Sequence, residues 1–269
     1  MTARPALEST TLASEFPPGL KDFNFKVLWE FQLLGINFEI TKLTVLLWVS
    51  VLALVVFFSL AVRNQKMVPG RLQFAGESAY GFVRDGMAKP MMGEEGVRFA
   101  PYLTTLFCFI IVSNWWAIIP VVQIPTTAKI SLPVVLALIS YVLFNWVGIR
   151  KHGVKKYFGG IFWPAGAPWW ILWLLTPIEI ISTLIARPVT LAVRLFANMF
   201  AGHMLLLVFT FGGVALLNSD NFVNKTFSIF SFGMAIVMTI FEFMVQIIQA
   251  YVFTILTASY LQGALAEEH

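Results

Sequence analysis

Five apolar segments alternate with shorter polar stretches along this chain. They cover approximately residues 43–62, 99–120, 131–149, 168–217 and 226–262. A helix needs roughly 20 apolar residues to cross the hydrocarbon core of a bilayer, and each of these segments approaches or exceeds that length. The pattern therefore predicts an all-α polytopic membrane protein with about five membrane-embedded helices.

Residues 71–92, between the first two segments, show apolar and polar residues on opposite faces of a helix. The apolar face comprises Leu72, Ala75, Ala79, Phe82, Val83 and Met87. The polar face comprises Gln73, Glu77, Arg84 and Lys89. This arrangement predicts one amphipathic helix that lies on the membrane surface.

The last two segments, 168–217 and 226–262, are too long for simple crossings. A helix of ~50 residues would extend ~75 Å at ~1.5 Å per residue, whereas the hydrocarbon core is ~30 Å thick. We therefore expect both segments to be bent or tilted. Pro177 and Pro188 are the expected sites of bending, because proline removes a backbone donor and clashes with the preceding turn.

Composition excludes an ordinary soluble domain. The chain is 58% hydrophobic and 12% charged, with a mean hydropathy of +0.80, whereas soluble domains carry about 25% charged residues. Its single cysteine, Cys108, excludes an internal disulfide.

Basic residues are concentrated in two stretches, with six Lys or Arg from Arg63 to Arg98 and four from Arg150 to Lys156. Cytoplasmic loops carry such an excess, so both stretches are predicted to be cytoplasmic and the N-terminus outside. Residues 1–42 then form an extracytoplasmic segment without the pattern of a cleavable signal peptide, and 43–269 form a single membrane domain. The net charge of +4 is thus explained by topology and lipid headgroups, and we expect no nucleic-acid partner.

Ionisable residues are rare within the two long segments. They are Glu179, Arg187, Arg194, His203 and Glu242. A charge at the centre of a membrane helix costs ~2.5 to 3.5 kcal/mol on insertion scales, and such residues usually mark ion pathways. An ion pathway is therefore the first interpretation of these positions.

Spacing on the first long segment separates two faces. Arg194 and Asn198 are four residues apart and share a face, whereas His203 is nine residues from Arg194 and points in roughly the opposite direction. One helix could therefore present Arg194 to one neighbour and His203 to another.

A polar stripe is predicted on the second long segment, where it could line a water-filled groove. It comprises Thr239, Glu242, Gln246 and Gln249.

The residue types suggest different roles. Arginine keeps its charge at all relevant pH values, so Arg194 could attract and release a carboxylate but could not relay protons. His203 and Glu242 can exchange protons when their environments shift their pKa values. A structural interpretation stays open for several positions. Arg187 could reach the headgroups or serve a structural role, and Asn198 and Gln249 could join helices by hydrogen bonds. Glu179 could serve either role, and a structural role is favoured for Thr239 and Gln246.

The stretch from Arg187 to His203, RPVTLAVRLFANMFAGH, resembles the motif RPxxLxxRLxxNxxAG of the ATP synthase subunit a family. The last apolar segment, with Glu242 seven residues before Gln249-Ala250-Tyr251, is also similar to that family's last helix. The resemblance extends over nearly all of the chain beyond the first 40 residues. It implies a proton-conducting stator subunit of a rotary F-type ATP synthase, without catalytic activity of its own, whose two long helices form a tilted hairpin against a rotor ring.

The resemblance also implies site residues. Arg194 matches the family's essential arginine, which faces the carboxylates of the c-subunit ring, and Asn198, His203, Glu242 and Gln249 match positions that line the half-channel open to the outside. Glu179, Ser182 and Thr183 match the cytoplasmic half-channel less closely. Many members have a carboxylate at position 203 and a histidine at position 242, so the exchange seen here suggests that these side chains lie close together.

The implied partners are the c-subunit ring, the peripheral-stalk b subunits, the rest of the complex and membrane lipid. The implied location is the bacterial plasma membrane, with a cytoplasmic C-terminus. We expect no cofactor and no metal, and the combination of His203 with Glu242 favours H⁺ over Na⁺. Two alternatives are a secondary transporter that binds an anionic substrate at Arg194, which predicts internal repeats, and a membrane-embedded transferase, which predicts a clustered acidic metal site or an activated nucleophile.

Overall fold

The computed structural model describes residues 27–33, 36–63, 66–119, 125–162, 169–219 and 221–266. Within them, five helical stretches are long and apolar enough to cross a membrane. This confirms the prediction of an all-α polytopic membrane protein. The stretches are Lys42–Arg63, Arg71–Trp115, Ser131–His152, Ile171–Leu217 and Phe222–Leu265.

Two short strands precede the first helix. Strands β1 (Val27–Leu33) and β2 (Ile36–Thr41) pair antiparallel, with Leu33 opposite Ile36. Helix α1 (Lys42–Arg63) begins at the residue after β2. Sequence analysis assigned no secondary structure to this segment, and most of it, residues 1–26, lies outside the described residues. Its extracytoplasmic location stays a prediction.

The second stretch contains three α-helices joined by a π-helical turn and a 3₁₀ segment. Helix α2 (Arg71–Val83) continues through a π-helical turn, Arg84–Ala88, into α3 (Lys89–Met92). A 3₁₀ segment, Gly93–Phe99, then leads into α4 (Ala100–Trp115). Residues 116–119 form a turn, so α4 ends earlier than the apolar segment 99–120 suggested.

The amphipathic pattern of 71–92 is only partly correct. On the apolar face, Val83 and Met87 are fully buried and Leu72 and Phe82 are about half exposed. Gln73, assigned to the polar face, is buried. Its burial is possible because its side-chain amide donates to Glu77 Oε1 at 2.7 Å and to the Lys66 carbonyl at 3.2 Å, which satisfies the buried polar group locally.

The remaining helices complete the membrane domain. They are α5 (Ser131–His152), α6 (Val154–Phe162), α7 (Trp169–Ile180), α8 (Arg187–Leu217) and α9 (Phe222–Leu265). A one-turn 3₁₀ segment, Thr126–Ala128, precedes α5 and packs mainly on α8.

The apolar core lies between α4, α5, α8 and α9, and the end of α2 with the π-helical turn after it closes one side of the core. Its fully buried side chains are contributed by every one of these elements, so the helices share a single core. They include Met87, Leu103, Ile110, Phe144, Leu195, Phe253 and Leu261.

The prolines of the first long segment do not end the helix. Pro177 lies inside α7, Pro188 lies in the first turn of α8, and a π-helical turn, Ile181–Ala186, joins the two helices. Proline in a helix frees a carbonyl one turn earlier, and a local change to π geometry is one way in which a helix accommodates such a defect.

Helices α8 and α9 form an antiparallel hairpin, the most extensive helix pair in the described part of the chain. Helix α9 has 44 residues and is therefore ~66 Å long at ~1.5 Å per residue. This is about twice the thickness of the hydrocarbon core. Helix α9 cannot stand upright within the bilayer core along its whole length.

Candidate functional site

The turn end of the α8–α9 hairpin is held by two serines. Ser228 Oγ donates to the Gly213 carbonyl and Ser231 Oγ donates to the Phe209 carbonyl, each at 2.7 Å. Gly213 allows the close approach, since a Cβ atom there would lie 3.2 Å from the Phe232 ring. These contacts fix the register in which α9 runs back along α8.

That register brings His203 and Glu242 together near the middle of the hairpin. His203 Nδ1 lies 3.8 Å from Glu242 Oε1, and the two side chains are 8% and 3% exposed. Gly202 lies beside the Glu242 side chain, where a Cβ atom would be 3.7 Å from Glu242 Cγ, an ordinary van der Waals distance. The proximity expected from the exchanged residue types is confirmed.

Two turns further along α9, Gln249 contacts the residue that shares a face with Arg194. Asn198 Nδ2 donates to Gln249 Oε1 at 2.7 Å. Gln249 is 2% exposed, and its Nε2 has no hydrogen-bond partner among the described residues. Asn198 and His203 thus both contact α9, although their spacing places them on different faces of α8.

The predicted polar stripe on α9 is a real structural feature. Glu242, Gln246 and Gln249 are all buried, and Gln246 is fully so. Thr239 instead donates its hydroxyl to the Ala235 carbonyl of its own helix at 2.9 Å. This bond supports the structural interpretation of Thr239.

A cavity of about 310 Å³ lies between the two helices along this stripe. Its polar lining comes from Asn198, Glu242 and Gln249, and Gly202 contributes backbone. Because a water molecule occupies ~30 Å³ in the liquid, the cavity has room for several waters. The arrangement can therefore support a hydrated path beside an ionisable pair.

Arg194 has different surroundings. Its side chain is half-buried, and no carboxylate of the described residues lies within ion-pair distance of it. The neighbouring positions Val193 and Ala197 are exposed. Arg194 therefore belongs to an apolar outer surface of α8, where a lone cation is unfavourable unless a partner covers it.

Arg187, the first residue of α8, contacts another helix of the chain. Its guanidinium carbon lies 5.6 Å from the centre of the Tyr260 ring on α9, a cation–π arrangement. This supports the structural interpretation of Arg187.

Glu179, Ser182 and Thr183 lie at the end of α7 and in the π-helical turn that follows. Thr183 Oγ1 donates to Glu179 Oε1 at 3.2 Å. Thr183 is buried, whereas Ser182 is exposed. Single π-helical turns are frequent at functional sites. This one precedes Arg194 in the chain, whereas Asn198 and His203 follow it.

A further polar cluster was missed by sequence analysis. Ser113 and Asn114 at the end of α4, and Thr126 and Thr127 in the following 3₁₀ segment, are all buried. Thr127 donates to Asn114 Oδ1 and Thr126 donates to the Ser113 carbonyl. Among the described residues, Ser113 Oγ and Asn114 Nδ2 have no hydrogen-bond partner. Asn114 is the single carboxamide of the apolar segment 99–120, and this was the available signal.

Comparisons with known proteins agree on one family. The family model described as ATP synthase A chain matches residues 44–262. A protein of Parafrankia sp. (strain EAN1pec) named ATP synthase subunit a is 49% identical over 245 residues, which is 91% of this chain and 82% of the relative. A protein of the same name from Nocardioides sp. (strain ATCC BAA-499 / JS614) is 40% identical over 94% of this chain and 94% of its own length. Another from Pseudarthrobacter chlorophenolicus is 41% identical over 99% of this chain and 98% of its own length.

Proposed function

Because the chain belongs to the ATP synthase A chain family, a family of ATP synthesis and proton transport, we propose that it is the proton-conducting stator subunit of a rotary F-type ATP synthase. Its partners are then the ring of c subunits, the peripheral-stalk b subunits and the rest of the complex. The chain carries protons, and nucleotide chemistry takes place in other subunits.

Proton entry is assigned to the α8–α9 groove. Protons from outside pass Asn198, His203, Glu242 and Gln249 and neutralise a carboxylate of the rotor. The buried pair His203–Glu242, 3.8 Å apart beside a cavity of about 310 Å³, supports this assignment. Two ionisable groups that share a buried site can pass a proton between them.

The cluster around Asn114 extends the groove on the entry side. The 3₁₀ segment Thr126–Ala128 packs on α8, and Ser113 and Asn114 retain unused hydrogen-bonding capacity. A buried polar atom without a partner costs ~1 to 3 kcal/mol, so such atoms suit a site that exchanges hydrogen bonds with passing water.

Proton exit is assigned to Glu179, Ser182 and Thr183, on the cytoplasmic side. The two half-channels are offset, so a proton loaded from one must travel with the rotor before it leaves through the other. Each elementary charge that crosses the membrane releases ~2.3 kcal/mol per 100 mV, and a rotor accumulates several such steps for one ATP.

The single observation that carries the proposal is the environment of Arg194. It is a permanent charge, half-buried among apolar neighbours and without a carboxylate partner among the described residues. Such a residue suits a carboxylate on another subunit, which it attracts and releases as the rotor turns. Its positive charge also prevents protons from passing directly between the half-channels.

The membrane arrangement follows from the same proposal. The chain lies in the bacterial plasma membrane with its N-terminus outside and its C-terminus in the cytoplasm, helices of 71–92 lie along the cytoplasmic surface, and the α8–α9 hairpin is tilted against the rotor. The ~66 Å length of α9 supports the tilt.

Arg194→Ala tests the proposal, with Arg187→Ala as the matched control in the same helix. In membranes that carry the complete complex, we expect Arg194→Ala to abolish both ATP synthesis and ATP-driven proton pumping, and Arg194→Lys to be strongly impaired because a point charge does not replace the planar guanidinium. Arg187→Ala should assemble and retain coupled activity. Normal coupled synthesis by Arg194→Ala would refute the assignment.

A further inference from the structure

A second cavity, of about 530 Å³, is lined by none of the residues assigned to the proton path. One wall is the 3₁₀ segment Gly93–Phe99 that leads into α4, and the other is the C-terminal part of α5. We define the basic pocket as this cavity with its three cations, Arg98, Arg150 and Lys151.

The charge of the basic pocket is incompletely balanced within it. Lys151 Nζ lies 3.2 Å from Glu95 Oε2, and this ion pair joins the two walls. Glu95 is the one carboxylate of the cavity lining, so Arg98 and Arg150 leave two positive charges in excess. The excess favours an anionic ligand that carries one or two negative charges.

The floor of the basic pocket is apolar, which distinguishes it from a site for a free ion. Phe99, Leu143 and Val147 line it, and Arg98 stacks on Phe99 with its guanidinium carbon 4.8 Å from the ring centre. A ligand that fills the cavity must therefore combine an anionic group with apolar parts.

An exposed apolar stripe on α5 leads into the basic pocket. Val135, Leu138, Val142 and Trp146 recur three or four residues apart, and each is about half exposed or more. Residues at this spacing form one continuous strip along a helix. Trp146 ends the strip and also lines the cavity, as tryptophan does at the level of the headgroups.

We propose that the basic pocket binds an anionic phospholipid, with its phosphate between Arg98, Arg150 and Lys151 and one acyl chain along the apolar stripe of α5. Basic pockets between membrane helices on the cytoplasmic side are suited to such headgroups. The site rests on the proposed membrane orientation and is independent of the proton path. A bound lipid would add to the Lys151–Glu95 ion pair in holding the 3₁₀ segment before α4 against α5.

The test uses the complete ATP synthase complex in phosphatidylcholine vesicles with a trace of phosphatidylglycerol that carries a photoactivatable headgroup. We expect crosslinks to the peptides that contain Arg98 and Arg150. Unlabelled phosphatidylglycerol should displace the probe, whereas phosphatidylcholine and inorganic phosphate should not. No crosslink at these peptides, or equal displacement by phosphatidylcholine or by inorganic phosphate, would overturn the proposal.

The matched variants each remove three exposed basic residues from the predicted cytoplasmic side. Arg98→Gln/Arg150→Gln/Lys151→Gln empties the basic pocket of cations, and Arg71→Gln/Lys155→Gln/Lys156→Gln leaves it intact. If each basic residue contributes about fivefold to the attraction of an anionic lipid, the pocket variant should lose about 100-fold in specific labelling. The control variant should keep it, and equal loss in both would mean a general surface effect.

Two further variants separate folding and transport from lipid binding. Arg98→Lys/Arg150→Lys preserves the charge and should keep most of the labelling. Loss of labelling in this variant would contradict the electrostatic basis of lipid binding. Arg194→Ala should leave the labelling unchanged, because the measurement requires no turnover. The lipid site and the proton path can therefore fail independently.

Discussion

Arg194 and His203 lie nine residues apart on the same helix, yet their surroundings are opposite. His203 is buried against Glu242 of α9, whereas Arg194 is only half-buried and has no carboxylate partner in the described part of its own chain. Burial of an ionisable pair beside a cavity with room for several waters suits proton exchange within the subunit. A fixed positive charge on an apolar surface, without a carboxylate partner in the described part of its own chain, suits transient binding of a carboxylate on another subunit. The comparison separates the part of the mechanism that the chain holds by itself from the part that exists at an interface.

The largest effect within the hairpin is expected at the buried pair. Glu242→Gln removes the titratable group but keeps its size, and should lower the rate of ATP-driven proton pumping roughly 100-fold, the lower range for loss of a proton-transferring side chain. Thr239→Val, one turn away on the same stripe, is the control and should pump normally. Pumping is measured by fluorescence quenching in inverted membrane vesicles.

Exchange of the pair sharpens this expectation. His203→Glu with Glu242→His keeps one histidine and one carboxylate at two positions whose native side chains lie 3.8 Å apart, and should recover part of the rate that either single variant loses. If the double variant were as inactive as both singles, the two side chains would not act as an exchanging pair.

A smaller effect, on stability, is expected at the turn end of the hairpin. Gly213→Val places atoms against the Phe232 ring, where even a Cβ atom would lie 3.2 Å away, whereas Gly233→Val meets open space. Overpacking costs typically ~1 to 3 kcal/mol. Gly213→Val should therefore lower the thermal stability of the detergent-solubilised complex, and Gly233→Val should leave it unchanged. Equal stability of the two would mean that the hairpin register is not fixed here.

The smallest effect is expected at Asn198 and Gln249, which share a 2.7 Å hydrogen bond. A double-mutant cycle with Asn198→Leu and Gln249→Leu should give a coupling energy of about 0.6 kcal/mol in thermal stability, the average for hydrogen bonds between membrane helices. A coupling near zero, together with impaired pumping in both singles, would assign the two residues to the proton path alone.

The sequence predicted the helices better than the contacts between distant segments. Five apolar segments identified the five membrane helices, because burial in lipid imposes a long uninterrupted pattern. The pair His203–Glu242 was also found, because ionisable residues are rare in such segments. By contrast, Asn114 and Thr127 are thirteen residues apart and meet only through a turn, so local spacing could not reveal their bond.

Backbone geometry was also difficult to predict. The π-helical turn Ile181–Ala186 has no pattern of its own in the sequence, and the bends expected at Pro177 and Pro188 stay a prediction. The basic residues 98, 150 and 151 were explained by topology alone, because the cavity between them depends on how α4 and α5 pack.

The central claim, that the exposed face around Arg194 meets the rotor, is tested most directly by disulfide crosslinking in a Cys108→Ala background, which removes the native cysteine. A cysteine replaces either Ala197, which is exposed one turn from Arg194, or Ala192, which is 4% exposed. Each variant is combined with a c subunit that carries a cysteine beside its carboxylate. The account predicts a crosslink from position 197 and none from position 192. A crosslink from neither position in an assembled, active complex would contradict it.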